Sequence, residues 1–210
     1  MMIIFIINLR IASCFLTFLK MRFLFLILFV SIAGCTPAMK LIGGFRTPKP
    51  EDKESITKYL NRKKIDTDNV LVFSDSVSYY NRIREVKQLP EIRVFNKEGV
   101  LVYHKDTAVS CPGPANDFTK MICIVSRLKQ NINRNVKTET SSLRTLENLP
   151  VNILVNGEYD YYVFIYWALF MGRLNKSDVK VWESNLKSAK GCKVCVYKVD
   201  MDSQKRWYNK

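Results

Sequence analysis

Residues 161–167 read Tyr-Tyr-Val-Phe-Ile-Tyr-Trp. Seven successive apolar or aromatic side chains leave neither face of a strand for water, so this stretch predicts a central strand covered on both sides. Just downstream, Val179, Trp182, Leu186 and Ala189 recur at helical spacing within 175–190, and Gly191 supplies a stop. Residues 194–199 form a further buried strand that ends at Asp200-Met201-Asp202.

Working back toward the N-terminus, Glu51 to Lys63 has the period of an amphipathic helix through Ile56, Tyr59, Leu60 and Lys63, with acids at its positive end. Val70 to Phe73 is a short buried strand. Val77 to Lys87 is a weaker helix, ended by Leu89-Pro90. Glu91 to Phe95 and Val100 to His104 are strands, joined as a hairpin by Asn96-Lys97-Glu98-Gly99, where Gly99 is free to take a positive φ. Residues 107–114 are a loop. Asn116 or Asp117 then caps a helix with Phe118, Met121, Ile122, Val125 and Leu128 on its apolar face. Residues 130–142 read as a polar connection, 142–149 as a short helix and 151–155 as a short strand. Strands alternate with helices and one hairpin interrupts them, which predicts an α/β domain with a mixed sheet flanked by helices. The 161–167 strand is expected between 70–73 and 194–199, with the hairpin in the same sheet.

The chain has 210 residues and a net charge of +14. Residues 1–34 hold three bases and no acid, so the remainder keeps a net charge of +11. A balance this basic favours an anionic contact such as lipid head groups or glycans, or else is simply a solvated surface.

Met21-Arg22, the apolar run Phe23 to Ser31 and Ile32-Ala33-Gly34-Cys35 have the three parts of a secretory signal. The run is too short to span a bilayer, which needs about 20 apolar residues. Ile-Ala-Gly-Cys resembles the bacterial lipobox, which implies cleavage before Cys35 and lipid on its thiol. Residues 1–34 are thus expected to be a signal peptide, with 1–20 an overextended gene start. The alternatives are one long membrane helix broken by Arg10, Lys20 and Arg22, or an ordinary signal with Cys35 incidental. Residues 35–50, rich in Pro and Gly, read as a lipidated tether, and 51–210 as the folded domain. Lys40, Arg46 and Lys49 on this tether could each add about 1 kcal/mol at an anionic membrane. Thr36 is not the acidic residue that signals inner-membrane retention, so the expected site is the outer membrane of the cell envelope.

Leu89-Pro90-Glu91-Ile92-Arg93-Val94-Phe95-Asn96-Lys97-Glu98-Gly99-Val100-Leu101-Val102 resembles the proline, strand, turn and strand of thioredoxin-like proteins, where the proline is cis and faces the active site. Val163 to Asp200 resembles the other half. Trp167-Ala168-Leu169-Phe170-Met171-Gly172-Arg173-Leu174 takes the place of the family's Trp-Ala-x-Trp-Cys-Gly-Pro-Cys. Met171 and Leu174 stand where the redox cysteines would be, and neither can form or resolve a mixed disulfide. The halves come in reversed order, so the fold is either circularly permuted or alike in layers rather than topology.

Cys111, Cys123, Cys192 and Cys195 belong to the folded part, and four cysteines allow three pairings. Cys192-Lys193-Val194-Cys195 is formally C-x-x-C, but it enters a strand instead of opening a helix, and strand positions three apart face opposite sides. A redox role for Cys192 and Cys195, or for Cys111, is the runner-up. One histidine, His104, and no second C-x-x-C leave no zinc set. No cofactor motif is present, and aromatic and basic residues do not interleave as in a nucleic-acid groove. The combined reading is a lipid-anchored envelope protein with a non-catalytic thioredoxin-like domain. Its expected contacts are the membrane, an anionic lipid or glycan and an unnamed protein partner, with no nucleic acid.

Overall fold

The computed structural model describes residues 44–86, 88–104, 113–124, 130–153, 155 and 157–208. All lie in one unit, Gly43–Lys210. The tripeptide-scale cues of the sequence resolve into a seven-stranded mixed sheet with helices on both faces. In chain order its elements are α1 (Lys53–Lys63), β1 (Val70–Phe73), α2 (Ser76–Glu85), β2 (Glu91–Asn96), β3 (Val100–His104) and α3 (Gly113–Met121). There follow β4 (Asn131–Asn135), α4 (Val136–Thr140), β5 (Leu143–Thr145), β6 (Tyr161–Trp167), α5 (Lys180–Lys187) and β7 (Val194–Asp200).

The strand order is β4-β3-β2-β6-β7-β1-β5. β6 runs parallel to β7 and antiparallel to β2, and β7 runs parallel to β1. The central position of Tyr161–Trp167 is therefore as expected, and the hairpin shares its sheet. Its neighbours are β7 and β2, however, and β1 lies one strand further out. Alternation along β6 divides the core. Val163, Ile165 and Trp167 join α1, α3 and α5 on one face, while Tyr162, Phe164 and Tyr166 join Tyr79, Val136 and Leu143 on the other. None of these six strand side chains is more than 1% exposed, and each such burial is worth about 1.5–3 kcal/mol.

Helix ends follow local chemistry. Asp52 caps α1: its carboxylate accepts from the Ser55 N–H at 2.8 Å while Ser55 Oγ accepts from the Asp52 N–H at 2.9 Å. Asp75 does the same for α2 through the Ser78 N–H at 2.8 Å. Gly99 turns the hairpin at φ +77°.

Three stretches depart from the sequence reading. Residues 130–142 hold the edge strand β4 and the helix α4, residues 142–149 hold the strand β5, and the described residues of 151–155 form no strand. Val151, Ile153 and Val155 instead lie as a loop against the second face. α3 starts at Gly113, ahead of the expected cap, and Met121 is 48% exposed. Val125 and Leu128 lie outside the described residues. Among the described residues, no helix is long and apolar enough to cross a membrane.

Candidate functional site

The parallel strands β6 and β7 end side by side at Trp167 and Asp200, and in open α/β sheets ligands bind beyond such strand ends. The chain leaves β6 through a 3₁₀ turn, Leu169–Met171, turns at Gly172 with φ +60°, and enters α5 through a π turn, Asn175–Val179. Asp202, just past β7, accepts from the Leu169 N–H and so ties this turn to the end of the neighbouring strand. Asn175, fully buried, donates to the Ala168 carbonyl at 2.7 Å and to Tyr59 Oη at 2.8 Å, and Tyr59 donates to the Gly172 carbonyl at 3.0 Å. The loop is thus held from β7, from its own helix and from α1.

Pro90 sits beside it. Glu91 pairs with Tyr166 across the β2–β6 ladder, which sets Pro90 level with Trp167, and the Leu89–Pro90 peptide is cis. Met171 is buried and Leu174 half-buried, both in the apolar cluster that also takes Leu89. Met171 closes the 3₁₀ turn and does not open a helix.

On the α1 side of the loop lies a groove of about 410 Å³, reaching from Leu169 past Tyr59 to Arg46, Arg62 and Lys205. Tyr59 stacks on Trp167 with ring centroids 5.8 Å apart. Three cations gather on the same ring: Arg46 at 5.4 Å, Arg62 at 5.6 Å and Lys63 at 5.8 Å from its centroid. Burial first, then Arg62, Arg46, Lys176 and Arg173, push the Lys63 ammonium below its usual value. Arg46 is brought there by a backbone bond from its N–H to the Phe170 carbonyl at 2.9 Å, so the end of the expected tether docks along the loop. At the far end of the groove Asp52 is paired with Lys205, which holds its carboxyl at about 2.

Asp200 and Asp202 are both buried at this strand end. Gln204 Nε2 donates to Asp200 Oδ2 at 3.1 Å. Burial and the neighbouring Asp202 raise the Asp200 pKa well above the carboxylate range, and burial raises that of Asp202 to about 6. Among the described residues, no group of three or more His, Cys, Asp or Glu side chains could hold a metal ion.

The cysteines do not gather here. Cys123, after α3, forms a disulfide with Cys192, before β7, with Cα atoms 5.4 Å apart. Cys195 is a buried free thiol whose pKa burial raises, the reverse of what activates a nucleophile. Cys192 packs on the first face and Cys195 on the second. His104 ends β3, on the hairpin. Cys35 and Cys111 lie outside the described residues.

Sequence reasoning found the β6 loop but missed the charges around it. Tyr59 read only as part of a helix face, and the cations come from positions 46, 62, 63, 173 and 176. A second missed cluster sits under the opposite face. Arg93, 1% exposed, donates through Nε to Glu91 Oε1 at 2.6 Å and through a terminal nitrogen to Glu139 Oε1 at 3.1 Å. Arg82 reaches Glu139 at 3.2 Å, and Tyr166 donates to the same carboxylate. Both guanidiniums lie over the Tyr166 ring, at 5.3 and 5.1 Å. Burial works against the Arg82 cation, but Tyr166, Glu139 and Glu85 outweigh it. Burial, then Glu139, pushes the Tyr166 phenol well above its usual range. The only sequence signal was an acid and a base two apart, hence on one face of a buried strand. No protein-family model, curated protein or solved structure matches this chain.

Proposed function

We propose that this chain is a lipid-anchored protein of the bacterial cell envelope, carried on Cys35 and facing from the outer membrane. Its domain is a circularly permuted thioredoxin-like fold that binds instead of exchanging disulfides. The observation that carries this reading is the β6 loop. The place of the family's dithiol is filled by Met171 and Leu174, packed into an apolar cluster beside the cis Leu89–Pro90 peptide. Without a thiolate no mixed disulfide forms, so what remains of such a site is its shape and its charge.

The sheet order supports the permutation. β7-β6-β2-β3 sets a parallel strand–helix–strand pair beside an antiparallel hairpin. Reading the chain from β6 through β7 and then from Pro90 through β3 puts the strand–helix–strand half before the hairpin, as a permutation requires. The Cys123–Cys192 disulfide supports export, because such bonds persist in oxidising compartments. The anchor is tested by labelling cells with a radioactive fatty acid. The wild type should carry label and fractionate with membranes, and Cys35→Ser should lose the label. Equal labelling of both removes the anchor from the proposal.

A further inference from the structure

Arg46, Arg62 and Lys63 are drawn from two separate segments of the chain onto one tyrosine ring. Among the described residues none of the three is ion-paired, although this domain pairs most of its buried charge. Like charges held this close repel, and the Lys63 pKa is depressed first by burial and then by Arg62, Arg46, Lys176 and Arg173. Packing does not require the arrangement: Arg46 and Arg62 are exposed, and the inner face of the ring already has Trp167. Arg46 and Arg62 line a groove of about 410 Å³, together with Lys49, Lys58, Lys205 and the acids Glu51, Asp52 and Glu54, and its volume is within the roughly 300–1,000 Å³ range of small-molecule sites. That groove opens at the C-terminal end of β6, where such sheets bind ligands. Two forked guanidiniums on one groove, with an ammonium on the same ring, match an anion of more than one charge and several acceptor oxygens. A single carboxylate would leave most of that charge unmatched.

We propose that the groove between α1 and the β6 loop is a binding site for a phosphate group, held by Arg46 and Arg62, with Lys63 beside them on the Tyr59 ring. It deepens the binding-module reading and rests on it, yet the two fail separately, since the titration below involves no thiol and disulfide exchange involves no phosphate. The phosphate belongs either to an anionic lipid head group or to a soluble phosphorylated ligand.

The test is calorimetric titration of the full chain, in neutral detergent, with inorganic pyrophosphate. Arg46→Gln/Arg62→Gln should weaken binding by at least about tenfold. Lys120→Gln/Lys137→Gln removes the same charge elsewhere and should leave affinity within about twofold. Both doubles alter only exposed side chains, so the fold is kept. Equal weakening in both, acetate binding as tightly as pyrophosphate, or no binding at all overturns the proposal. The source is read from amide exchange of residues 58–63 in lipid nanodiscs. Protection in phosphatidylglycerol but not phosphatidylcholine discs, lost in Arg46→Gln/Arg62→Gln, assigns the lipid. Pyrophosphate binding without that protection assigns a soluble ligand.

Discussion

Arg82 and Arg93, under one face of the sheet, are closed in by Glu91 and Glu139, whereas Arg46, Arg62 and Lys63, on the other, converge on Tyr59 with no ion pair among the described residues. Both groups lie against aromatic rings, so the aromatic partner is not what separates them. The difference is water. A guanidinium 1% exposed has lost its hydration and needs carboxylates to replace it. Arg46 and Arg62, both exposed, keep theirs, and nothing in folding requires them to be neutralised. The first group holds the domain together. The second is free to meet an anion from outside.

The largest expected effect lies in the buried group. Glu139→Ala leaves two guanidiniums and the Tyr166 hydroxyl facing an emptied position, and should destabilise the domain by about 3–5 kcal/mol in urea unfolding. A loss under about 1 kcal/mol would break the comparison, because the network would then be no better sequestered than the groove.

Next come two buried acids with no ion pair among the described residues. Asp200 and Asp202 have raised folded pKa values, so the native state holds protons that the unfolded chain releases. Stability from this pair is full below about pH 3.8, the unfolded value, and for Asp202 is lost as pH rises through about 6. Asp202→Asn should flatten the stability profile between pH 4 and 6, by on the order of 2 kcal/mol at the upper end. An unchanged slope in that window would show that Asp202 titrates normally.

The smallest effect belongs to the groove. Arg46→Gln/Arg62→Gln should leave unfolding stability within about 0.5 kcal/mol of wild type, since only exposed and mutually repelling charges are removed. A loss of several kcal/mol would give these residues the same holding role as Arg93, and the contrast between the faces would disappear.

How far this was legible in the sequence follows from the same physics. β6 announced itself because burial on both faces admits only apolar residues, and the 91–104 hairpin because Gly99 marks its turn. β4 did not, because Asn131–Asn135 is an edge strand with four of five residues exposed, Ile132 at 78%. Backbone pairing with β3 makes it a strand, and that leaves no side-chain pattern. α4 had one cue, Asn135, whose Oδ1 accepts from the Thr138 N–H at 2.9 Å. Val151, Ile153 and Val155 alternate like a strand but pack as a loop, since apolar contact at period two needs no ladder. The Met171 and Leu174 positions were found by resemblance. The cations around Tyr59 were not, because they span 130 positions of the chain and meet only when α1 and the β6 loop are docked.

The reading of the β6 loop as a binding site is tested most directly by insulin reduction with the purified full chain, set against Cys192→Ser and Cys195→Ser. The expected result is no turnover in the wild type, because Met171 and Leu174 supply no thiolate, Cys192 is bonded to Cys123, and Cys195 is buried with a raised pKa. Strong turnover in the wild type, abolished by either substitution, would contradict it and make this domain a thiol–disulfide exchanger.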